Sequence, residues 1–154
     1  MAMTLIPPDF REFLRYLKVH EVRFLLIGGY AVNAHGYVRN TVDIDVCVAS
    51  DSGNRRRVIQ AVREFGFAST GDDVLDAERA VLRMGTPPLR IQVMKVIAGV
   101  EFEDCWNRRV PVVLSDLELP MISLADLKVN KRAAGRCYRV GGEEGKALVK
   151  LAAG

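Results

Sequence analysis

Two aspartates one residue apart, Asp43 and Asp45, sit in the apolar run "VDIDVCV" of residues 42 to 48. The strict alternation predicts a strand. Side chains of a strand alternate between its two faces, so Val42, Ile44, Val46 and Val48 are expected to face a core. Asp43, Asp45 and Cys47 then share the opposite face. At a rise of ~3.3 Å per residue, the two aspartate Cα atoms lie ~6.6 Å apart. Carboxylates this close repel unless a cation neutralises them. A hard cation such as Mg²⁺ takes one or two carboxylates and completes its shell with water and substrate phosphates. The chemistry suggested by the spacing is metal-assisted work on a phosphate.

A second feature stands just upstream. Gly28-Gly29 closes the apolar run "RFLLI" and precedes "YAVNAHG". Glycine lets a backbone approach a ligand closely. A helix starting there aims free N–H groups at an anion such as a triphosphate. The stretch is neither a P-loop, since no G-K-[ST] follows, nor a G-x-G-x-x-G fingerprint. A lone Gly-Gly is most often a turn, and a lone D-x-D most often an exposed strand edge. The two joined by a short helix and flanked by core-like strands are far more specific.

The elements that must position these residues follow from periodicity and punctuation. Phe10, Phe13, Leu14 and Leu17 recur at helical spacing after Pro7-Pro8, giving a first helix to about His20. "RFLLI" reads as a buried strand and "YAVNAHG" as a short helix ending at Gly36. Asp51-Ser52 can cap a helix whose apolar positions are Val58, Ala61, Val62 and Phe65, with Gly66 as its stop. "RAVLRM" and "LRIQVM" read as strands separated by Gly85-Thr86-Pro87-Pro88. Phe102 and Trp106 lie on one side of a short helix. "VPVVL" and "LELPM" flank Ser115-Asp116 as a hairpin. Ser123 and Asp126 form a capping box for "LADLKVNKRAAG", and one more short helix is expected between Glu143 and Leu151. This order predicts an α/β (α+β) fold with a mixed sheet flanked by helices.

The chain has 154 residues, 49% hydrophobic and 27% charged, which suits a single globular domain spanning 1–154. No apolar run approaches the ~20 residues that span a bilayer, so no membrane partner is expected. Three scattered cysteines, Cys47, Cys105 and Cys137, form no C-x-x-C pair. Free thiols in a reducing cytosol fit this pattern, and a cytoplasmic location is the expectation. The net charge is +3, and after Asp126 there are seven Lys or Arg residues against Glu143 and Glu144. A basic tail suits an anionic ligand such as a nucleotide or RNA, although charge alone favours a solvated helix face.

The stretch "IGGYAVNAHGYVRNTVDIDVCV" resembles the signature of the nucleotidyltransferase superfamily. Its "GGxAxxxHGxxRxTxDID" form is most similar to the small prokaryotic nucleotidyltransferases, including toxins of certain toxin–antitoxin pairs. The resemblance continues through "VEFEDCWNRRVPV" and "PMISLADLKVNKRAAGR", so it covers most of the chain. It implies a minimal domain binding Mg²⁺ and an NTP. Asp43 and Asp45 would hold the metal or metals, and Gly28 and Gly29 the phosphates. Arg39 and Thr41 would support that loop, and Lys131 would lie near the nucleotide. The reaction implied is attack on the α-phosphorus with release of pyrophosphate. The acceptor, RNA or protein, is left open. Larger relatives grip the acceptor with a second helical domain; here an antitoxin, a helical partner chain or a second copy would supply that surface.

One departure matters most. The family places a third carboxylate in a run like "R-I-Asp-hydrophobic", and the matching run here is "LRIQVM", with Gln92 at that position. A carboxylate there binds metal and helps deprotonate the acceptor hydroxyl, whereas an amide is neutral and has no useful basicity. A site with two metals or a degenerate site with one remain open. So do transfer with another group such as Glu78 filling the role, nucleotide binding without chemistry, and a degenerate copy kept for protein contacts. His20, His35 and Cys47 are read as structural. Phe102 and Trp106 are read as core residues, and Arg55-Arg56-Arg57 as a solvated helix start.

Overall fold

The computed structural model describes residues 5–37 and 40–135. Arg39 and the expected helix between Glu143 and Leu151 lie outside the described residues, as does the tail from Arg136 onward. The first helix, α1 (Pro8–Val19), begins at Pro8, whose fixed φ and missing N–H suit a first turn. It buries Phe10, Phe13, Leu14 and Leu17, the four residues at helical spacing. Strand β1 (Phe24–Ile27) is buried along its whole length. Helix α2 (Gly28–Ala34) follows without a linker. Strand β2 (Asp43–Val48) then returns antiparallel to β1, with Ile27 opposite Asp45 and Phe24 opposite Val48.

Helix α3 (Ser52–Phe65) is capped by Asp51, whose carboxylate accepts from the Asn54 amide, and ends at Gly66 with φ 140°. The hairpin β3 (Val81–Met84) and β4 (Arg90–Met94) places β4 parallel to β2. Short helix α4 (Phe102–Asn107) leads to the hairpin β5 (Val110–Leu114) and β6 (Leu117–Met121). Strand β6 docks parallel to β1 through Leu26 and Met121. Helix α5 (Leu124–Ala133) is capped by Ser123, which accepts from the Asp126 amide. The result is one mixed six-stranded sheet, ordered β3-β4-β2-β1-β6-β5. The α/β reading agrees with it, and within the described residues the expected elements lie within about two residues of the observed ones, α2 starting at Gly28 rather than Tyr30. No helix among the described residues is long and apolar enough to cross a membrane.

The two faces of the sheet differ as alternation requires. Ile44, Val46, Val48, Ile91 and Val93 are almost completely buried, in one cluster with the apolar faces of α1 and α3. The Phe13 and Phe65 rings join those two helices edge to face, 5.4 Å apart. Asp43, Asp45 and Gln92 are half-buried on the opposite face. One expectation fails. Val42 is 51% exposed, because the strand begins at Asp43 and the alternation does not yet govern its neighbour.

Asn54 ties the site-bearing strands to α3. Its side-chain oxygen accepts from the Arg23 amide at 2.8 Å, and its nitrogen donates to the carbonyls of Arg23 at 3.1 Å and Ala49 at 2.9 Å. These groups flank the start of β1 and the end of β2, and Asn54 is fully buried. Removing the amide would leave the Arg23 N–H and the Ala49 carbonyl without this partner, while the Arg23 carbonyl keeps the Ala49 N–H. Asn54→Ala is expected to lower the unfolding free energy by about 3 kcal/mol in urea melts. A loss below about 1 kcal/mol would show that the joint is not essential.

Candidate active site

The turn from β1 into α2 is shaped around one carboxylate. Gly28 is buried at φ 70°, a left-handed conformation that side chains disfavour. A Cβ at this position would lie 2.3 Å from Asp45 Oδ2 and 3.1 Å from both Cβ and Cγ of Asp45. Glycine is therefore required twice, by the backbone and by the aspartate beside it. Ile27 precedes the helix with no side-chain oxygen, so it does not cap the first N–H groups of α2. Gly29 is half-buried in the first turn.

Asp43 and Asp45 lie on one face, as the alternation predicts, with the fully buried Ile44 between them. The Thr41 hydroxyl donates to the Asp43 carbonyl at 3.4 Å, so Thr41 steadies the entry to β2. Gln92 stands where the third carboxylate was expected, directly opposite Asp45 in the parallel pairing of β2 and β4. Its amide nitrogen donates to Asp45 Oδ1 at 3.1 Å. Its amide oxygen in turn accepts from Arg83 Nε at 3.2 Å. The sequence reading missed Arg83. The signal was present, because a β3–β4 hairpin aligned by its buried residues puts Arg83 opposite Gln92. Arg90 is the register partner of Asp43.

Lys131 belongs to α5. It follows Asn130, whose amide donates to the Ala98 carbonyl at 2.9 Å, in the last turn of α5. Residues 97–100 lie beyond the Cys47–Met94 end of β2 and β4, and Asp43 starts the other end. That is ~13 Å along the strand from Asp43 to Cys47. Glu78 is also at the far end. It lies in the turn before β3, not on a strand, and lines a cleft of about 800 Å³ with Lys95, Arg79 and Asp126. It cannot replace a carboxylate at position 92.

The remaining candidates behave structurally. His35 donates through Nε2 to the Ile122 carbonyl at 2.9 Å. Cys47 and Cys105 are buried, and burial pushes their thiols up to about 12 and about 11, so neither is a nucleophile at neutral pH. Phe102 and Trp106 stack with centroids 5.8 Å apart, and the Arg109 guanidinium sits 3.9 Å over the indole. They are half-buried and packed against the core cluster, as expected, with that guanidinium on the indole face. The α5 cap carries its own ion pair: Arg108 grips both oxygens of buried Asp126, at 3.0 and 2.9 Å. Hydrogen bonding to Arg108 holds the Asp126 carboxyl below its usual range, despite burial.

Among the described residues no group of three or more His, Cys, Asp or Glu side chains could hold a metal. The donor set at the sheet face is the carboxylate pair Asp43 and Asp45. This fits one hard cation that shares its shell with substrate phosphates. It does not fit a two-metal site, because the third position offers Asp45 an amide N–H instead of an oxygen.

Comparison with solved structures places this architecture. TM1012 from Thermotoga maritima, described as a candidate nucleotidyltransferase, matches with a TM-score of 0.57 at 17% identity, over 96% of this chain and 94% of its own. The antibiotic-resistance factor ANT(2'')-Ia matches with a TM-score of 0.62 at 13% identity, over 94% and 80%. The lincomycin-bound lincosamide antibiotic adenylyltransferase LnuA matches with a TM-score of 0.52 at 14% identity, over 97% and 98%. No family model and no curated protein sequence matches the chain. At these identities the likeness shows the fold, and the chain has the nucleotidyltransferase fold.

Gly28→Ala should lower the unfolding free energy by about 1–3 kcal/mol, from backbone strain and the clash with Asp45. In an Asp45→Ala background the clash with the carboxylate disappears, leaving the strain and the 3.1 Å approach to the retained Cβ, so the same substitution should cost less. Equal costs in the two backgrounds, in a double-mutant cycle read by urea melts, would contradict the contact.

Proposed function

We propose that this chain binds a magnesium nucleoside triphosphate at Asp43 and Asp45 and transfers its nucleotidyl group to an acceptor. The observation that carries the reading is the carboxylate pair on the open sheet face, with Asp45 seated directly against the Gly28 turn. The fold supports it, since solved structures of this fold include one described as a lincosamide antibiotic adenylyltransferase. In this reading Gly28 and Gly29 bring backbone N–H groups to the phosphates, and Thr41 holds the strand entry. Asp43 and Asp45 orient the metal–phosphate complex from below. Mg²⁺, when bound, would neutralise phosphate charge and polarise the α-phosphorus. Catalysis of this kind is mainly positioning and charge neutralisation, which a small scaffold can supply.

Among the described residues, position 92 does not supply a carboxylate base next to that phosphorus. Gln92 can orient Asp45 but cannot accept a proton at neutral pH. The hydrogen bond from Gln92 to Asp45 therefore favours a second reading, in which the nucleotide binds and a hydroxyl acceptor is not activated. RNA and protein both remain open as acceptors, and so does a toxin role.

Calorimetry with MgATP addresses the first reading. Wild type should bind, and Asp43→Ala should weaken binding at least ~10-fold, or ~1.4 kcal/mol. No binding by wild type would exclude both nucleotide readings and leave an interaction protein. Pyrophosphate release addresses catalysis. Asp45→Ala should abolish it, and Gln92→Asp should raise transfer to water or hydroxyl acceptors at least ~10-fold, as expected for a restored general base. A fully active wild type that Gln92→Asp leaves unchanged would refute the importance given to position 92.

A further inference from the structure

A row of four residues crosses the sheet at the level of the site. Ile27 of β1 faces Asp45 of β2, Asp45 faces Gln92 of β4, and Gln92 faces Arg83 of β3. Asp45 divides this row into two flanks. On one flank lies the Gly28 turn, within van der Waals distance of the carboxylate. On the other lie Gln92 and then Arg83, linked to Asp45 by hydrogen bonds of 3.1 and 3.2 Å. Arg90, partner of Asp43, extends the second flank by one strand step. Strands β3 and β4 thus contribute two guanidinium groups and no carboxylate, since their sequences are VLRM and RIQVM. Arg83 is exposed, and within the described residues its Nε is the atom engaged by Gln92.

In-line displacement puts the attacking and leaving oxygens on opposite sides of the α-phosphorus. With the leaving phosphates at the glycine turn, the attacking oxygen arrives from the Gln92 and Arg83 flank. Among the described residues, a hydroxyl arriving there finds an amide and a guanidinium, neither of which takes a proton. An oxygen that is already anionic needs no base and is attracted by the arginines. A phosphate monoester meets both conditions: its second pKa is near 6, and a guanidinium fork matches its oxygens.

We infer that the acceptor is a phosphate monoester and that Arg83 is the residue that selects it. The inference rests on the nucleotidyl-transfer reading above. A phosphate oxygen of the acceptor forms the new bond to the α-phosphorus as the bond to the bridging oxygen breaks. The electron pair leaves with pyrophosphate, and the product is a phosphoanhydride. No proton has to be removed. Gln92 then has a positive role, because a carboxylate at this position would repel the acceptor while the amide holds both Asp45 and Arg83 in place.

The test uses the full chain and ATP labelled at the α-phosphate. Inorganic phosphate, glycerol 3-phosphate and a 5′-phosphorylated oligoribonucleotide are each compared with water, glycerol and the 5′-hydroxyl oligoribonucleotide. Label should enter the phosphorylated partners at least ~10-fold faster than their counterparts. Arg83→Ala should lower kcat/KM for them at least ~10-fold while MgATP affinity, by calorimetry, stays within about twofold. A second measurement is independent of acceptor shape. Inorganic phosphate should bind wild type loaded with Mg²⁺ and a non-hydrolysable ATP analogue, at least ~10-fold more tightly than it binds loaded Arg83→Ala. Such binding supports the inference even where none of the three probes is labelled. Labelling of hydroxyl partners as fast as phosphorylated ones overturns it, as does phosphate binding that ignores Arg83. Loss of MgATP affinity in Arg83→Ala also overturns it, by assigning the arginine to the triphosphate. Failure of wild type to bind MgATP is a different result, and it removes the underlying functional reading.

Discussion

The carboxylate of Asp45 occupies the space in which any residue other than glycine at position 28 would place its Cβ, and the site is organised around that contact. The turn must be left-handed to pass the carboxylate, so β1 can run straight into α2 with no linker between them. The antiparallel register of β1 and β2 sets Asp45 opposite Ile27, one residue before the turn. The parallel register of β2 and β4 then delivers Gln92 to the other side of the same carboxylate. Shifting either pairing by one residue would turn the aspartates into the core, where unpaired charge is strongly disfavoured. Packing of Ile44, Val46 and Val48 on the buried face therefore fixes the geometry of the polar face.

The open face has two chemically different ends. At the Cys47 end lies the cleft of about 800 Å³, whose lining includes residues of α4 and α5. Burial suppresses the thiols there, and Arg108 and Asp126 satisfy each other. At the Asp43 end stand two carboxylates from β2 and two guanidinium groups from β3 and β4. That balance suits a ligand bearing phosphate, which the arginines attract directly and the aspartates accept only through a cation. The amide of Gln92 sits at the boundary between these signs and donates to one while accepting from the other.

Much of this was legible from residues alone, for reasons that differ by element. The period-two pattern of "VDIDVCV" needs no partner to be read, so the shared face of Asp43 and Asp45 followed directly. The pattern could not say where the strand begins, and Val42 was misplaced for that reason. The special position of Gln92 was visible only by resemblance to a family motif, because its closeness to Asp45 depends on a crossover spanning α3 and β3. Glu78 shows the same limit. It has suitable chemistry, but the direction in which a turn carries a side chain across a sheet is set by tertiary packing. Arg83 went unnoticed because exposed arginines are common, and only the hairpin register distinguishes this one. Arg39 lies outside the described residues, so its expected support of the loop has no structural counterpart.

The central claim is that a metal–nucleotide complex sits between the glycine turn and the aspartate pair, and not in the cleft at the other end of the sheet. Mn²⁺ can replace Mg²⁺ as a paramagnetic probe, added with a non-hydrolysable ATP analogue to isotopically labelled protein. Nuclear relaxation of the backbone amides should then be enhanced most strongly at Gly28, Gly29 and Asp45. It should decline towards Gln92 and Arg83, and be weak at residues 95–100. Enhancement centred on residues 95–100, or none that depends on the nucleotide, would contradict the account.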